Sequence, residues 1–172
     1  MPALPGRASA EPSAIAPDGI SIHSFDVPVG AHVGIAEGRI PTGSYAIHRH
    51  LSLEQYTYVV SGSLVAVTAS AQHPHGRVVP LAPGSLLLTF PSESLQFINE
   101  SDETARVLFI CAPPYPTDDS DTQILAGHGP LPADEAGAAI ARLEAVREQF
   151  DAAIDRRIAA LRTIAAGGCS GC

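Results

Sequence analysis

Between Ile20 and Ala112 the chain alternates short apolar runs with turn residues. The runs are ISIHSFDV, AHVGIAEGRI, SYAIHRH, QYTYVVS, SLVAVTAS, RVVPLA, SLLLTF, LQFINE and ARVLFICA, separated by breaks such as PVG, PTG, SG, QHPHG, APG, PSES and SDET. Many short runs closed by Gly, Pro, Ser and Asp predict an all-β, antiparallel sandwich or barrel over 19–116. The stretch PPYPTDDSDTQILAGHGPLP holds too much proline for the interior of a strand or helix, so 117–132 is expected to wrap the outside as a loop. After Pro132 the period changes. Ile140, Leu143, Val146, Phe150, Ile154, Ile158, Leu161 and Ile164 recur at three and four residues. That spacing predicts one long amphipathic α-helix over 133–166. Asp134 and Glu135 supply an acidic first turn, and Gly167-Gly168 ends the helix. Its apolar face is expected to cover the barrel or a second subunit, and a homodimer is expected. Residues 1–18, rich in Pro, Ala and Ser, read as a disordered leader, and 167–172 as a flexible Gly/Cys tail.

Composition narrows the chemistry. The 172 residues suit one domain with some decoration, and 45% hydrophobic content is enough for a sizeable core. A formal net charge of −8 argues against nucleic acid as a partner. All ten basic residues are arginines, which excludes a Schiff-base lysine, a lysine general base and a phosphate-loop lysine. There is no Gly-x-Ser-x-Gly elbow and no Gly-rich dinucleotide loop. No apolar run approaches membrane-spanning length, and the N-terminus lacks the pattern of a signal peptide, so a cytoplasmic protein with no membrane partner and reduced cysteines is expected. Cys111 lies in an apolar strand and reads as a buried thiol. Cys169 and Cys172 form one C-x-x-C, which supplies only two zinc ligands, so a plain tail is expected there.

The chemistry concentrates in GSYAIHRHLSLEQYTYVVSG, residues 43–62. On a strand, positions i and i+2 share a face, so His48 and His50 point together. Leu51, Ser52 and Leu53 can turn the chain, and Glu54 then opens the next strand with Tyr56 and Tyr58 in phase. If that face is the barrel interior, two imidazoles and a carboxylate converge. Such a set suits Fe(II), Zn, Mn, Ni or Co, and with open positions it suits Fe(II) and oxygen chemistry. Polar residues on a solvent face are the other reading of the same spacing.

The same stretch resembles the first motif of the cupins: Gly, His-x-His, an acid a few residues on, and a closing Gly, continued by YVVSGSLVAV. The second cupin motif resembles GSLLLTFPSESLQFIN through Gly84, Pro91 and Asn99, with Glu93 in place of a glycine and Gln96 in place of the usual fourth ligand. The resemblance covers about Ile20 to Pro114. It implies a jelly-roll β-barrel, the double-stranded β-helix, carrying one divalent metal ion near its mouth. By position the ligands would be His48, His50, Glu54 and Gln96, with Gln96 a ligand or a hydrogen-bonding neighbour. Fe(II) is the favoured metal and Zn, Mn, Ni or Co the others.

Further candidates follow from place and type. Glu54, Tyr56 and Tyr58 are expected to move protons, and Arg39, Tyr45 and Glu93 to touch substrate, Arg39 through a carboxylate. His73 and His75 read as an exposed loop, while His23, His32 and His128 have no partner visible in the sequence. The expected function is a metal-dependent enzyme acting on a small organic molecule, with dioxygenase chemistry first. A non-redox metal-dependent lyase, isomerase or cyclase is second, and a catalytically silent binding or sensor module third. Cupin folds host many reactions, so the substrate does not follow from them.

Overall fold

The computed structural model describes residues 6–25, 32–116 and 119–167. Its strands are β1 (Ala14–Ile15), β2 (Ser21–Ser24), β3 (Gly34–Ile40), β4 (Gly43–Ser44), β5 (His48–His50), β6 (Glu54–Ser61), β7 (Leu64–Ala69), β8 (Arg77–Leu81), β9 (Leu86–Thr89), β10 (Ser94–Asn99), β11 (Ala105–Ala112) and β12 (Thr122–Ile124). One helix follows, α1 (Ala136–Gly167). The strands form two antiparallel sheets. One runs β1-β2-β3-β11-β6-β9, and the other β12-β5-β10-β7-β8 with β4 also on β10.

Side-chain alternation sets which face of each strand is buried. Along β11, Ala105, Val107, Phe109 and Cys111 point inward. Along β6 the buried set is Gln55, Thr57 and Val59. These join Ile20, Ile40, Leu53, Leu64, Ala66, Leu81, Leu95 and Phe97 in one core between the sheets. Asn99 locks the β10–β11 corner. Its amide nitrogen donates to the Ile40 and Glu103 carbonyls at 2.8 Å each, and its oxygen accepts from the Ser101 amide and hydroxyl.

Two glycines are dictated by geometry. Gly62 closes the β6–β7 hairpin at φ +77°, and a Cβ there would meet the Ala105 Cα at 2.7 Å. Gly38 lies under the core phenylalanine, and a Cβ there would fall 2.3 Å from Phe109 and 2.9 Å from Val107. Gly38→Ala is therefore expected to destabilise the barrel by about 1–3 kcal/mol, the usual cost of overpacking. Urea denaturation checks this, and an unchanged midpoint would contradict the packing described.

Two expectations change. Residues 6–18 are not a disordered leader: Ala14 and Ile15 pair with Ile22 and Ser21, the Ser9 amide donates to the Ser24 carbonyl, and Ser13 bonds Ile22 and Ser24. Turn residues Pro17, Asp18 and Gly19, the last at φ +98°, fold the segment back onto β2. The proline-rich segment is likewise more than a wrapping loop, because β12 pairs with β5 along its whole length. The prolines flank this strand rather than interrupt it.

Helix α1 begins at Ala136, three residues later than predicted, so Asp134 and Glu135 precede it and its first turn carries no acid. Ala139 and Ala153 are buried, and the Phe150 ring stands edge-on to His32 with centroids 4.8 Å apart. The tail cysteines Cys169 and Cys172 lie outside the described residues.

Candidate active site

Strand β5 is short and buried along its whole length. Its register sets the site: His48 lies opposite Leu95 of β10 and Ile124 of β12, and His50 opposite Thr122. Both imidazoles line a cavity of about 410 Å³ with ring centroids 5.2 Å apart. Ile15, Ile20, Ile22, Phe97 and Phe109 make its apolar wall. Asp18, Gln55, Tyr115 and Thr122 complete its polar end.

Each histidine has a carboxylate behind it. His48 Nδ1 is 3.5 Å from Asp18 Oδ2 and 3.3 Å from the Ala46 carbonyl. His50 Nδ1 is 3.2 Å from Thr122 Oγ1 and 3.7 Å from Asp121 Oδ2, while its Nε2 is buried without a partner. Asp121 is held in turn by the Ser52 amide and hydroxyl. The Tyr115 hydroxyl donates to Gln55 Oε1, the Cys111 thiol approaches the same oxygen at 3.9 Å, and Gln55 Nε2 donates to Thr57.

Burial governs the charge of this site. It lowers His50 to about 3, with the nearby His48 adding to the effect, so His50 is neutral at physiological pH. It raises Asp18, against the pull of His48, and raises Asp121, against the hydrogen bonds from Ser52. It lifts Cys111 to about 12 and holds the Tyr115 phenol protonated well above its ordinary value. For His50 the folded-state value is depressed, so the unfolded chain takes up that proton first. Stability is therefore expected to fall as pH drops from about 6.5 towards 3, by up to about 1.4 kcal/mol per pH unit from this group. The His50→Gln variant should show a shallower acid slope in urea midpoints between neutral pH and pH 5. Equal slopes in the two proteins would remove the buried neutral imidazole from the account.

The predicted site residues fare differently. The structure brings His48 and His50 together, but Glu54, Tyr56 and Tyr58 lie on the outer face of β6. Tyr56 donates to Glu54 there at 3.5 Å, and Tyr58 is 39% exposed. The inward residue is the next one, Gln55. Gln96 also faces away: its amide donates to Ser44 Oγ and the Tyr45 carbonyl, and its oxygen lies 3.3 Å from His128. The inward neighbours on β10 are Leu95 and Phe97. Arg39 is on the outer face of β3, paired with Glu37 at 2.8 Å, and cannot meet a substrate in this cavity. Tyr45 packs against the core and donates to the Pro41 carbonyl. Glu93 accepts from the Phe90 amide beside a separate hollow. His73 and His75 are exposed on the turn after β7, as expected.

The donor set does not fit a two-histidine, one-carboxylate metal site. It offers two imidazoles, one neutral amide whose oxygen already accepts two donors, and a leucine across from His48. The two carboxylates sit behind the rings at Nδ1. Among the described residues, no three His, Cys, Asp or Glu side chains form a metal-binding group.

Antiparallel sheets wrapped around one core, with the His-x-His strand lining its cavity, define the architecture: this is a double-stranded β-helix, the cupin-type fold. Solved structures of similar fold include a predicted oxalate decarboxylase from Thermotoga maritima, 18% identical with a TM-score of 0.52, over 64% of this chain and 99% of that one. Pac13, a nucleoside dehydratase, is 13% identical with a TM-score of 0.51, over 73% of this chain and 88% of that one. The capsular polysaccharide assembling protein CapF from Staphylococcus aureus is 13% identical with a TM-score of 0.56, over 72% of this chain but 32% of that one. At these identities the likeness is one of fold. No family model matches the sequence, and no curated protein matches it. Among the described residues, no helix is long and apolar enough to cross a membrane.

Proposed function

We propose that this chain is an enzyme that moves protons on a small, uncharged organic molecule without redox chemistry, as an isomerase or a lyase does. One observation carries the reading. Two buried histidines stand side by side at the polar end of an apolar cavity, each with its Nδ1 toward a buried carboxylate.

In this mechanism His48 Nε2 takes a proton from the carbon beside a substrate carbonyl. Asp18 behind the ring orients it and stabilises the imidazolium that forms. His50 stays neutral. In the tautomer in which the Thr122 hydroxyl donates to Nδ1, the His50 ring carries its proton on Nε2 and offers it to the carbonyl oxygen, where negative charge grows. Return of the proton from His48 to another carbon completes an isomerisation. Its delivery to a leaving hydroxyl, which departs as water, completes a dehydration.

No arginine lines the cavity, and Asp18 already does. A phosphate or carboxylate on the substrate would lose its hydration there without compensation, so a neutral substrate fits best. Iron-dependent dioxygenase chemistry ranks second, because the inward position beside the histidines is an amide rather than a carboxylate.

The test is proton exchange. Neutral enolisable ketones and β-hydroxy ketones are incubated with the protein in D2O, with and without EDTA, and deuterium uptake is followed by NMR. Exchange that survives the chelator and disappears in His48→Asn is the expected result. Exchange lost to EDTA and restored by Fe(II) or Mn(II) would overturn the acid–base mechanism.

A further inference from the structure

The barrel leaves much of α1 uncovered. Ile140, Leu143, Ile154, Ile158, Leu161 and Ile164 are 40–70% exposed, while Val146 and Phe150 are half-buried, Phe150 with one edge against the His32 ring. An exposed apolar stripe of this length on a helix marks a surface that another element covers.

The order of the stripe says what covers it. Its eight positions are their own mirror image about position 152. Ile140 answers Ile164, Leu143 answers Leu161, Val146 answers Ile158, and Phe150 answers Ile154. A two-fold pair of antiparallel helices needs this symmetry, because residue i must meet j where j meets i. A parallel pair or an unrelated partner needs no such mirror. The charges follow the same direction. Glu144, Glu148, Asp151 and Asp155 outnumber Arg142 and Arg147 in the first five turns, whereas the charged residues after Asp155 are Arg156, Arg157 and Arg162. Reversing one helix against another lays the acidic part beside the basic part. It brings Glu144 towards the second copy's Arg162 and Arg147 towards the second copy's Asp155.

We infer that α1 is a self-association element, which pairs antiparallel with α1 of a second copy of this chain through the stripe from Ile140 to Ile164. The crossing point lies near position 152. No residue of the stripe lines the histidine cavity, so the pairing does not rest on the proposed chemistry.

Sedimentation velocity of the full chain at micromolar concentration should give a dimer. Leu161→Glu places a carboxylate in the pairing face at a site 65% exposed in one chain, so the barrel should keep its far-UV CD spectrum. Its dimer should dissociate roughly a hundredfold more readily. Direction is read by cross-linking, in a background with Cys169 and Cys172 replaced by serine. Leu143→Cys mixed with Leu161→Cys should form a disulfide-linked dimer under oxidation, while each variant alone should not. A wild-type monomer, a dimer untouched by Leu161→Glu, or cross-linking of either variant by itself would each overturn the proposal.

Discussion

Replacing His48 with asparagine is expected to lower the exchange rate by about 100- to 10,000-fold, the range a positioned general base contributes. Asparagine places its amide nitrogen near the position of the imidazole Nδ1. It can therefore still donate to the Ala46 carbonyl and face Asp18, while the atom that takes the substrate proton is gone. His48 is 4% exposed and backs onto Leu95, so the replacement also keeps the strand filled. Asp18→Asn should fall between the two, since it leaves the base but removes the charge that stabilises its protonated form. Both are read as initial rates of deuterium uptake at neutral pH, alongside a thermal melt of each protein. Near wild-type exchange in a folded His48→Asn protein would remove His48 from the chemistry.

The second large effect is a gain. Gln55→Glu together with Leu95→His is expected to turn the cavity into a divalent-metal site. Both positions face inward beside the two imidazoles, so the variant presents three histidines and one carboxylate where the wild type offers two histidines and an occupied amide. Altering mere supporting contacts around a metal changes its affinity by about 10- to 100-fold, so two new direct ligands should tighten Zn(II) by at least about 100-fold. Competition with a chromophoric chelator measures the difference, and Co(II) absorption reports the geometry. Wild-type protein that holds one equivalent of Zn(II) as tightly as the double variant would mean that the native donors suffice, and the misfit described above would be wrong.

That variant also explains what was legible in the sequence. The strand runs, the turn glycines, the long helix and the His-x-His face could all be read from spacing, because each depends on local periodicity. The other two ligand positions could not be fixed that way. A strand repeats every two residues, so a slip of one reverses the face. Glu54 beside Gln55, and Gln96 beside Leu95, are both slips of one. The attractive residue type drew each assignment to the outer face. Counting back seven residues from Gly62, or four from Asn99, reaches the inward residue in each case. Asp18 and Asp121 carried no such signal. Their contact with the histidines depends on the fold-back of β1 onto β2 and on β12 joining β5, pairings whose partners are distant in the chain for Asp121. Tyr115 was hidden in a proline-rich stretch that discouraged any reading of regular structure.

The segment from Ser13 to Asp18 closes one side of the cavity and supplies the carboxylate behind His48, and it is tied to the barrel through β1, the Ser13 hydroxyl and the Asp18 carbonyl, which accepts from the Ala46 amide. A chain trimmed to begin at Ile20 would lose β1 but keep the other eleven strands, both histidines and the core cluster, yet it would present an open trough with an unsupported base. Architecture and selectivity are thus separable here. Which molecule is accepted can be altered by redrawing a handful of residues at the start of the chain, with the barrel left as it stands.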